Sequence, residues 1–366
     1  MKILILQDHL RSGGTERQSI LLAREFARAG HEATLITFRP GGRLAPSLSG
    51  INHLSLQAFD TGLDWFAPGL LRAVDRGRPG IVLCMGKTAN AYAGRIQRWA
   101  HRRKRELAVV ATLRAGYSLP WYYSRSIRMA RHIVTNSREA AELFGARHSL
   151  PPASVSVIHN SLVFPETTPV RDETLRARLG AGPATTVLLC VAMFRPEKNQ
   201  RDLIPIVAGL PANLDWQLWL AGEGPARAAC EKLASSLGVE TRVKFLGFQS
   251  DPGPLYAAAD IAVHASKEEA LSNFIIESQA HGLPAVACKA LGMEECFLPA
   301  RTGWIIPHGD PESFRSAILS LASATPSERA TRSAEARAFA RARFDVPTQV
   351  AAYLDLFQKL ATHNGT

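Results

Sequence analysis

The stretch MKILILQDHLRSGGTERQSILLAREFARAGHEATLITF, residues 1–38, contains one complete strand–helix–strand unit. Residues 2–7 form an apolar run of the length of a buried strand, and a loop with two glycines follows. Residues 16–30 then place apolar side chains at helical spacing, and residues 31–38 form a second strand. This order favours parallel pairing of the two strands, which predicts a doubly wound α/β sheet.

The same alternation of strands and helices continues along the chain and is interrupted once. Residues 161–185 are richer in Pro and Thr, and the rhythm restarts with TVLLCVAM, residues 186–193. We therefore predict two Rossmann-like domains, each with a doubly wound parallel sheet, and a cleft between them. The predicted boundaries are 1–163 for the first domain, 164–345 for the second, and 346–366 for a C-terminal amphipathic helix that returns to the first.

Composition and cysteine use indicate a globular protein of a reducing compartment. The chain has 366 residues, of which 46% are hydrophobic and 20% charged, and this is typical of about two globular domains. No apolar run reaches transmembrane length, and the first apolar run is too short for a signal peptide. The five cysteines are scattered and form no CxxC pair. We therefore expect neither disulfides nor a zinc site, and a cytoplasmic location.

Positive charge is concentrated in the first half of the chain. Residues 1–165 contain 23 Lys and Arg but only 10 Asp and Glu, a net charge of +13, whereas the remainder carries a net charge of −2. Such asymmetry indicates an acidic partner, which could be nucleic acid, anionic lipid or a phosphorylated substrate. No nucleic-acid-binding module is recognisable, so we expect no nucleic-acid partner.

The densest basic stretch, RIQRWAHRRKR, has two interpretations. A basic helix with an aromatic residue is typical of contact with an anionic membrane surface, but a solvated helix end explains the same residues equally well. The residues assigned to the membrane contact are Arg95, Arg98, Trp99, Arg102, Arg103, Lys104 and Arg105. The membrane interpretation predicts a peripheral protein at the inner face of the cell membrane.

Two loops of the first domain follow strands, which is where open α/β sheets bind ligands. In the first loop, Gly13 and Gly14 allow a tight turn and a close approach of the backbone to a phosphate or sugar, although no GxGxxG pattern is present. The second loop contains Lys87, which could reach an anionic ligand, and Asn90. A plain strand–helix turn is the alternative for the first loop, and a solvated Lys87 is the alternative for the second.

The loop MFRPEKNQ, residues 193–200, follows the first strand of the second domain. Arg195 and Lys198 are three residues apart in this loop. Two cations there could hold a diphosphate, Arg through its planar fork and Lys as a point charge. The alternative is a solvated turn.

The stretch EEALSNFIIESQAHGLPAVA, residues 268–287, combines a helix start with carboxylates. Ser272 is the predicted N-cap of a helix that begins near Asn273, and the free N–H groups of such a helix start attract anions. Glu277 lies among apolar residues, so we expect it to be buried against a partner. The simpler interpretation of Glu269 is a favourable interaction with the helix dipole.

Taken together, these motifs resemble the retaining glycosyltransferases of the GT-B fold, family 4 type. The resemblance covers nearly the whole chain in the family's order, and this combination is far more specific than any one loop. The residues that carry it are GGTE (13–16), VTNS (134–137), IHN (158–160), RPEKN (195–199), AGEGP (221–225), FLGF (245–248), YAAADIAVHAS (256–266), and the E-x7-E motif from Glu269 to Glu277, which HGLPAVA follows.

The resemblance implies a role for each matched residue. The implied donor contacts are Glu277 at the ribose, Glu269 at the sugar, Ser272, Asn273 and Phe274 through backbone amides, Arg195 and Lys198 at the diphosphate, Phe248 near the base, and Gly14 at the phosphate. Glu269, Arg195 and Lys198 form the implied catalytic group, and Gly13, Lys87 and Asn90 are assigned to the acceptor or donor. The sequence departs from the family twice, because Ala192 and Met193 replace a common Gly-Arg pair and Lys87 replaces a common His.

The resemblance implies retaining transfer of a sugar from a UDP- or GDP-linked donor to a hydroxyl of a glycan or lipid-linked acceptor, of the cell-surface polysaccharide or lipopolysaccharide type. Neither an Asp-x-Asp sequence nor a cluster with metal-ligand spacing occurs, so we expect no metal and no cofactor. We also expect closure of the two domains to complete the site. A nucleotide-sugar epimerase of similar fold is the alternative.

Overall fold

The computed structural model describes residues 1–114, 121–168 and 170–362, and the chain divides into two compact units. Unit 1 comprises Met1–Ser161 together with Val346–Thr366, and unit 2 comprises Leu162–Asp345. The chain therefore passes from unit 1 into unit 2 and then returns. Each unit is built on a parallel sheet, which confirms the predicted α/β class.

Over the described residues, unit 1 contains a seven-stranded parallel sheet with the order β3-β2-β1-β4-β5-β6-β7. Its strands are β1 Lys2–Gln7, β2 Glu32–Thr37, β3 Asn52–Ser55, β4 Ile81–Cys84, β5 Ala108–Leu113, β6 His132–Thr135 and β7 Val155–Val157. Its helices are α1 Gly14–Arg28, α2 Leu70–Gly77, α3 Lys87–Arg102, α4 Trp121–Arg128, α5 Arg138–His148 and α13 Val346–Thr362. Short 3₁₀ helices lie at Ala45–Leu48 and Pro152–Ser154.

The central strands of unit 1 are almost wholly apolar. Ile5, Leu83 and Val110 are fully buried in β1, β4 and β5, as expected for a parallel sheet that is covered on both faces. From β1 the chain builds the sheet outward to β2 and β3 on one side, and from β4 it builds outward on the other. Ligands of such sheets bind beyond the carboxyl ends of the two strands at which the order reverses, here β1 and β4.

Helix α13 contributes to the core of unit 1. Its buried residues Val350, Tyr353, Phe357 and Leu360 recur at helical spacing, which confirms the amphipathic helix predicted from the sequence. Phe26 of α1 packs between two of them, with ring centroids 6.1 Å from Tyr353 and 5.6 Å from Phe357. Both pairs have the edge-to-face geometry that aromatic rings favour.

Unit 2 has, within its described residues, a six-stranded parallel sheet with the order β10-β9-β8-β11-β12-β13. Its strands are β8 Thr186–Val191, β9 Trp216–Ala221, β10 Val243–Gly247, β11 Ile261–His264, β12 Ala285–Cys288 and β13 Gly303–Ile306. Its helices are α6 Glu173–Arg178, α7 Gln200–Ala208, α8 Arg227–Ser236, α9 Gly253–Ala258, α10 Asn273–Ala280, α11 Pro311–Ala322 and α12 Pro326–Phe344. Short 3₁₀ helices lie at Pro196–Lys198 and Met293–Glu295.

The strand order of unit 2 reverses between β8 and β11. These two strands pair directly, with Leu188 opposite Ile261 and Leu189 opposite Ala262. The loops that follow them, 192–199 and 265–272, therefore flank the crevice of this sheet. These are the loops that contain the predicted cations and the first predicted carboxylate.

Four elements were not predicted from the sequence: β3, α2, α11 and α12. The edge strand β3 has the sequence NHLS, which is mostly polar and shows no apolar run. Helix α12 buries only Ala336, Ala340 and Phe344 along 19 residues. Its start was nevertheless readable, since Thr325 and Glu328 form a capping box.

Candidate active site

The two loops that flank the crevice of unit 2 are tied to each other by hydrogen bonds. The backbone N–H of Lys267 donates to the carbonyl oxygen of Glu197 at 2.9 Å, and the side-chain amide of Asn199 donates to the carbonyl oxygen of Ala265 at 3.2 Å. Asn199 has a left-handed backbone (φ 53°), a conformation that asparagine tolerates better than most residues. The side chains on the two loops are consequently held in a fixed relation.

Glu269 is the centre of this site. Lys198 Nζ donates to its Oε1 at 2.6 Å, and His264 Nε2 lies 2.8 Å from the same oxygen. Only 10% of the Glu269 side chain is exposed. Burial alone would raise the pKa of this carboxyl, but the charge of Lys198 and the hydrogen bond from His264 outweigh that effect and lower the pKa to about 2. Glu269 is therefore an anion throughout the physiological pH range.

His264 was not identified from the sequence. It is the last residue of β11 and is almost fully buried, with its ring edge-to-face against Phe274 at 5.4 Å between centroids. A carboxylate oxygen can only accept, so the contact with Glu269 assigns the proton to Nε2. The available signal was a polar residue at the end of the apolar strand IAVH, directly before the loop.

Helix α10 begins where the sequence predicted. Asn273 is its first residue, Ser272 is its N-cap, and Ser272 Oγ accepts from the N–H of Ile275 at 3.5 Å. The ring of Phe274 is buried in the core of unit 2. The backbone of Phe274, rather than its ring, is the part suited to a ligand in the crevice.

Glu277 has the partner that was predicted for it. Tyr256 donates its hydroxyl to Glu277 Oε2 at 2.7 Å, and Glu277 is half-buried. The Tyr256 ring is itself fixed by stacking on His281, with centroids 4.7 Å apart. Tyr256 therefore positions this carboxylate, and the sequence had marked it only as part of a motif.

Arg195 lies in the same loop as Lys198 but in a more open environment. Its side chain is 46% exposed, and its guanidinium lies 3.8 Å from the Glu197 carboxylate. That separation is an ion pair without a close hydrogen bond, so the guanidinium is available to an anionic ligand. Of the two predicted cations, Lys198 is engaged with Glu269, and Arg195 remains the more accessible.

Two glycines bring the neighbouring loops against the loop of Arg195. Gly222 has φ 146°, and a Cβ atom there would overlap the carbonyl oxygen of Ala192; at Gly224, with φ 150°, it would overlap that of Phe194. The N–H of Gly222 also donates to the carbonyl oxygen of Gly247 at 2.7 Å. The two glycines of the AGEGP motif are required because the backbones of three loops are in direct contact here. Phe248 directly follows Gly247 at this junction.

In unit 1, a buried aspartate occupies the start of α3. The Asp8 carboxylate accepts the backbone N–H groups of Thr88 at 2.9 Å and Ala89 at 2.6 Å. Burial raises the pKa of Asp8 to about 6, although the two amide hydrogen bonds counteract this rise. The N–H groups that could have received an anion beside Lys87 are therefore already bonded to the protein's own carboxylate.

The remaining predicted residues of unit 1 divide into exposed and structural ones. Lys87 is the exposed first residue of α3, and Gly14 is the first residue of α1, with Gly13 as its N-cap. Asn90 is buried, donates to the carbonyl oxygen of Gly86 at 2.9 Å and accepts the N–H of Thr112 at 2.8 Å. Its side chain joins α3 to β5, so we propose no ligand contact for Asn90.

The basic stretch of α3 is largely exposed. Arg95 and Arg98 face solvent, as do residues 102–105, whereas Trp99 is half-buried. Arg105 forms an ion pair with Asp75 at 2.5 Å and so differs from the other predicted membrane residues.

Neither a metal-binding cluster nor a membrane-spanning helix occurs among the described residues. In residues 1–114, 121–168 and 170–362, no three His, Cys, Asp or Glu side chains are grouped so that they could hold a metal ion. Over the same ranges, every helix is too short or too polar to cross a membrane.

Two family models match the chain. Glycosyltransferase Family 4 matches residues 12–162, and Glycosyl transferases group 1 matches residues 185–324. Together these two matches cover more than half of the chain, in the order of unit 1 and unit 2.

Individual proteins agree with this assignment. The lipopolysaccharide core biosynthesis glycosyltransferase LpsE of Rhizobium meliloti is 38% identical over 143 residues, which are 39% of this chain and 41% of that protein. A D-inositol 3-phosphate glycosyltransferase of Mycobacterium sp. (strain JLS) is 31% identical over 204 residues, 54% of this chain and 46% of that protein. The chain therefore spans less than half the length of these curated relatives.

The fold is also that of solved structures. The crystal structure of Anabaena HepE in complex with UDP-glucose superposes with a TM-score of 0.83 at 24% identity, over 97% of this chain and 99% of that chain. Neither HepE nor the two relatives above is named as an epimerase. The chain belongs to the glycosyltransferases, with a family 4 domain followed by a group 1 domain, and its two Rossmann-like units are those of the GT-B fold that the sequence predicted.

Proposed function

We propose that this chain transfers a sugar from a nucleoside diphosphate donor to a hydroxyl of an acceptor, with retention at the anomeric carbon and without a metal ion. The observation that carries the proposal is Glu269, which Lys198 and His264 hold as an anion in the crevice of unit 2. A fixed negative charge beside a loop with two cations and a helix start suits a ligand with both anionic and hydroxyl groups.

The two ends of such a donor would meet different groups of unit 2. The diphosphate is anionic, so Arg195, Lys198 and the N–H groups at the start of α10 suit it. The hydroxyls of the sugar and the ribose need acceptors, which Glu269 and Glu277 supply. This division explains why carboxylates lie next to a site for an anion.

The reaction follows from these charges. The bond between the anomeric carbon and the diphosphate oxygen breaks, and the acceptor oxygen bonds to that carbon from the same face. The acceptor's proton passes to the leaving phosphate oxygen. Lys198 and Arg195 stabilise the charge that develops on the diphosphate, which is the task a metal ion performs in other transferases.

Glu269 acts electrostatically in this scheme. A carboxylate with a pKa of about 2 is a weak base, so it is poorly suited to accept the proton of the acceptor. Its negative charge instead favours the positive charge that develops on the sugar ring in the transition state. His264 is the positioning residue that holds the carboxylate in place.

The donor and acceptor classes rest on the relatives. UDP-glucose is the ligand named for the HepE structure, so a UDP-sugar is the first donor to test, with GDP-sugars next. LpsE is named for lipopolysaccharide core biosynthesis, which favours a glycan or lipid-linked acceptor of the cell surface. Such an acceptor would require the protein to work peripherally at the inner face of the membrane.

The test is release of nucleoside diphosphate from UDP- and GDP-sugars in the presence of candidate lipopolysaccharide core acceptors and EDTA. Glu269→Gln preserves the shape of the side chain but removes its charge, so we expect kcat to fall by on the order of 10²–10³-fold. Glu268→Gln is the matched control, because Glu268 is the exposed neighbouring carboxylate. Its kcat should equal that of the wild type.

Three outcomes would contradict the proposal. Equal turnover by Glu269→Gln and the wild type would remove Glu269 from the reaction. Loss of activity in EDTA that magnesium restores would refute metal independence. Conversion of the donor sugar without an acceptor and without nucleotide release would support an epimerase instead.

A further inference from the structure

One loop of unit 1 exposes a concentration of apolar side chains that the catalytic proposal does not use. We call residues 57–66, QAFDTGLDWF, the aromatic loop. Its exposed apolar side chains are Phe59 at 73%, Trp65 at 60%, Leu63 at 42% and Phe66 at 40%. Clusters of this kind mark a surface that another body covers, since single exposed apolar residues are common but groups of them are not.

The aromatic loop is held firmly, so the exposure of its side chains is a built feature. Gln57 is buried at its base, and its amide donates to the carbonyl oxygens of Leu63 at 3.0 Å and Phe66 at 2.6 Å. The side-chain Oε1 of Gln57 accepts from the Thr61 hydroxyl at 2.8 Å. One buried side chain thus satisfies the inner backbone of the loop and directs its apolar residues outward.

Two arginines outside the aromatic loop form ion pairs with its acidic residues. Arg39 donates to both oxygens of Asp60, at 2.7 and 2.9 Å, and to Asp64 at 2.7 Å. Arg11 donates to Asp64 as well. With its two carboxylates paired in this way, the loop presents no unpaired negative charge to an approaching surface.

The aromatic loop is joined to the basic face of α3. Tyr92 of α3 donates its hydroxyl to the carbonyl oxygen of Trp65 at 2.6 Å. Arg95 is three residues further along the helix, and Arg102 two turns beyond that, so all three lie on one side of α3. Arg95, Arg98 and Arg102 are exposed and form no ion pair with any other described residue.

We propose that the aromatic loop and the arginines of α3 together bind the surface of an anionic lipid bilayer. Phe59, Leu63, Trp65 and Phe66 enter the headgroup region, where aromatic side chains are favoured, and Arg95, Arg98 and Arg102 face the lipid phosphates. Charge complementarity selects this occupant, because the apolar residues project outward beside unpaired cations. The inference deepens the proposed function, since a lipid-linked acceptor lies in such a surface.

The test uses the full-length protein and sedimentation with vesicles of phosphatidylcholine alone or mixed with phosphatidylglycerol. We expect binding to the mixed vesicles that falls as salt rises. Phe59→Ser with Trp65→Ser should weaken this binding by about tenfold or more, through the loss of apolar burial. Arg95→Gln with Arg98→Gln should weaken it by about fivefold for each arginine.

Matched controls come from exposed residues of unit 2. Val170 is 84% exposed and Arg178 is an exposed arginine, so Val170→Ser and Arg178→Gln should bind vesicles as the wild type does. Lipids with brominated acyl chains supply a second readout. They should quench tryptophan fluorescence in the wild type, and Trp65→Phe should lose most of this quenching while it still sediments with the vesicles.

Equal sedimentation of the Phe59→Ser/Trp65→Ser protein and the wild type would overturn the proposal, as would binding by the wild type to neither vesicle. Self-association or protein capture that depends on Trp65, without vesicle binding, would equally refute it in favour of a protein partner. Stabilisation by UDP in a thermal melt is measured on the same proteins. Its absence in the wild type would count against the proposed function, whereas vesicle binding tests the surface alone.

Discussion

Two buried carboxylates show how the environment decides the chemistry of the same functional group. Glu269 accepts from a lysine and a histidine, and its pKa is lowered to about 2. Asp8 accepts from two neutral backbone amides, and burial raises its pKa to about 6. The difference arises because a full positive charge offsets the loss of hydration and amide dipoles alone do so only in part.

Asp8 should make the stability of unit 1 depend on pH. Its folded-state pKa of about 6 lies above the usual value of 3.8, so between these values the folded state holds a proton that the unfolded chain has lost. The free energy of unfolding should therefore decrease as pH rises through this window, by up to about 3 kcal/mol. Asp8→Asn should lack this decrease in urea unfolding measured from pH 4 to 7.

The control is a substitution that removes the same charge at an exposed position. Asp355 is exposed on α13, so Asp355→Asn should retain the pH dependence of the wild type. If Asp8→Asn and the wild type lose stability in parallel between pH 4 and 7, Asp8 is not the group responsible.

For individual residues, the sequence identified the candidate side chains in the loops better than it identified the residues that contact them. Glu269, Lys198 and Glu277 were identified because they stand in recognisable motifs. His264, Tyr256 and Asp8 were not, since each acts on a residue between 5 and 81 positions away. Such pairings depend on which loops the sheet brings together, and local sequence does not contain that information.

At the scale of elements, strand order positions the site. The apolar run TVLLCVAM predicted β8, but only the sheet order makes β8 and β11 neighbours. Edge strand β3 and helix α12 were missed, because an edge strand needs no apolar run and α12 buries few side chains. A helix or strand is therefore easier to predict from its hydrophobic pattern when more of its surface is buried.

The glycines of AGEGP make a sharp prediction about one element junction. Gly222→Ala would place a methyl group on the carbonyl of Ala192 and force an unfavourable backbone angle, so we expect the free energy of unfolding to fall by about 2–5 kcal/mol. Urea unfolding followed by circular dichroism measures this loss.

Gly145 provides the control for that substitution. It lies inside α5 without a positive φ, and a Cβ atom there would meet nothing within 4 Å. Gly145→Ala should therefore be neutral or raise stability by about 0.5–1 kcal/mol. If both substitutions had the same effect, the backbone contact at Gly222 would not be the reason for its glycine.

At the scale of the whole molecule, each unit has its own hydrophobic core, but unit 1 is assembled from two separate stretches of chain. The basic charge belongs mainly to the first stretch, and the nucleotide site is proposed for unit 2. The two properties can therefore be perturbed independently. The chain passes from unit 1 to unit 2 after Ser161, where the Pro- and Thr-rich break at residues 161–185 begins, and α13 then contacts α1.

Phe357 tests this division. It is fully buried against Phe26, so Phe357→Ala should cost unit 1 about 3–5 kcal/mol of unfolding free energy. Hydrogen exchange read by mass spectrometry should show faster exchange in peptides of β1, β4 and β5. Peptides of β8 and β11 should exchange at the wild-type rate.

Phe59→Ala is the matched control, because Phe59 is the same residue type in the same unit but is largely exposed. Phe59→Ala should change the free energy of unfolding derived from hydrogen exchange by no more than about 0.5 kcal/mol. Uniformly faster exchange in both units of Phe357→Ala would show that they unfold as one body.

The return of α13 has a consequence for biosynthesis. Domains generally fold as units while the ribosome is still adding residues, the first-made domain first. Here the side chains of α13 that pack on Phe26 are translated only after the whole of unit 2. The nascent chain should therefore complete unit 2 while Phe26 of α1 still exposes the apolar surface that α13 later covers. During that interval, chaperones that act on nascent chains should bind this exposed apolar surface of unit 1.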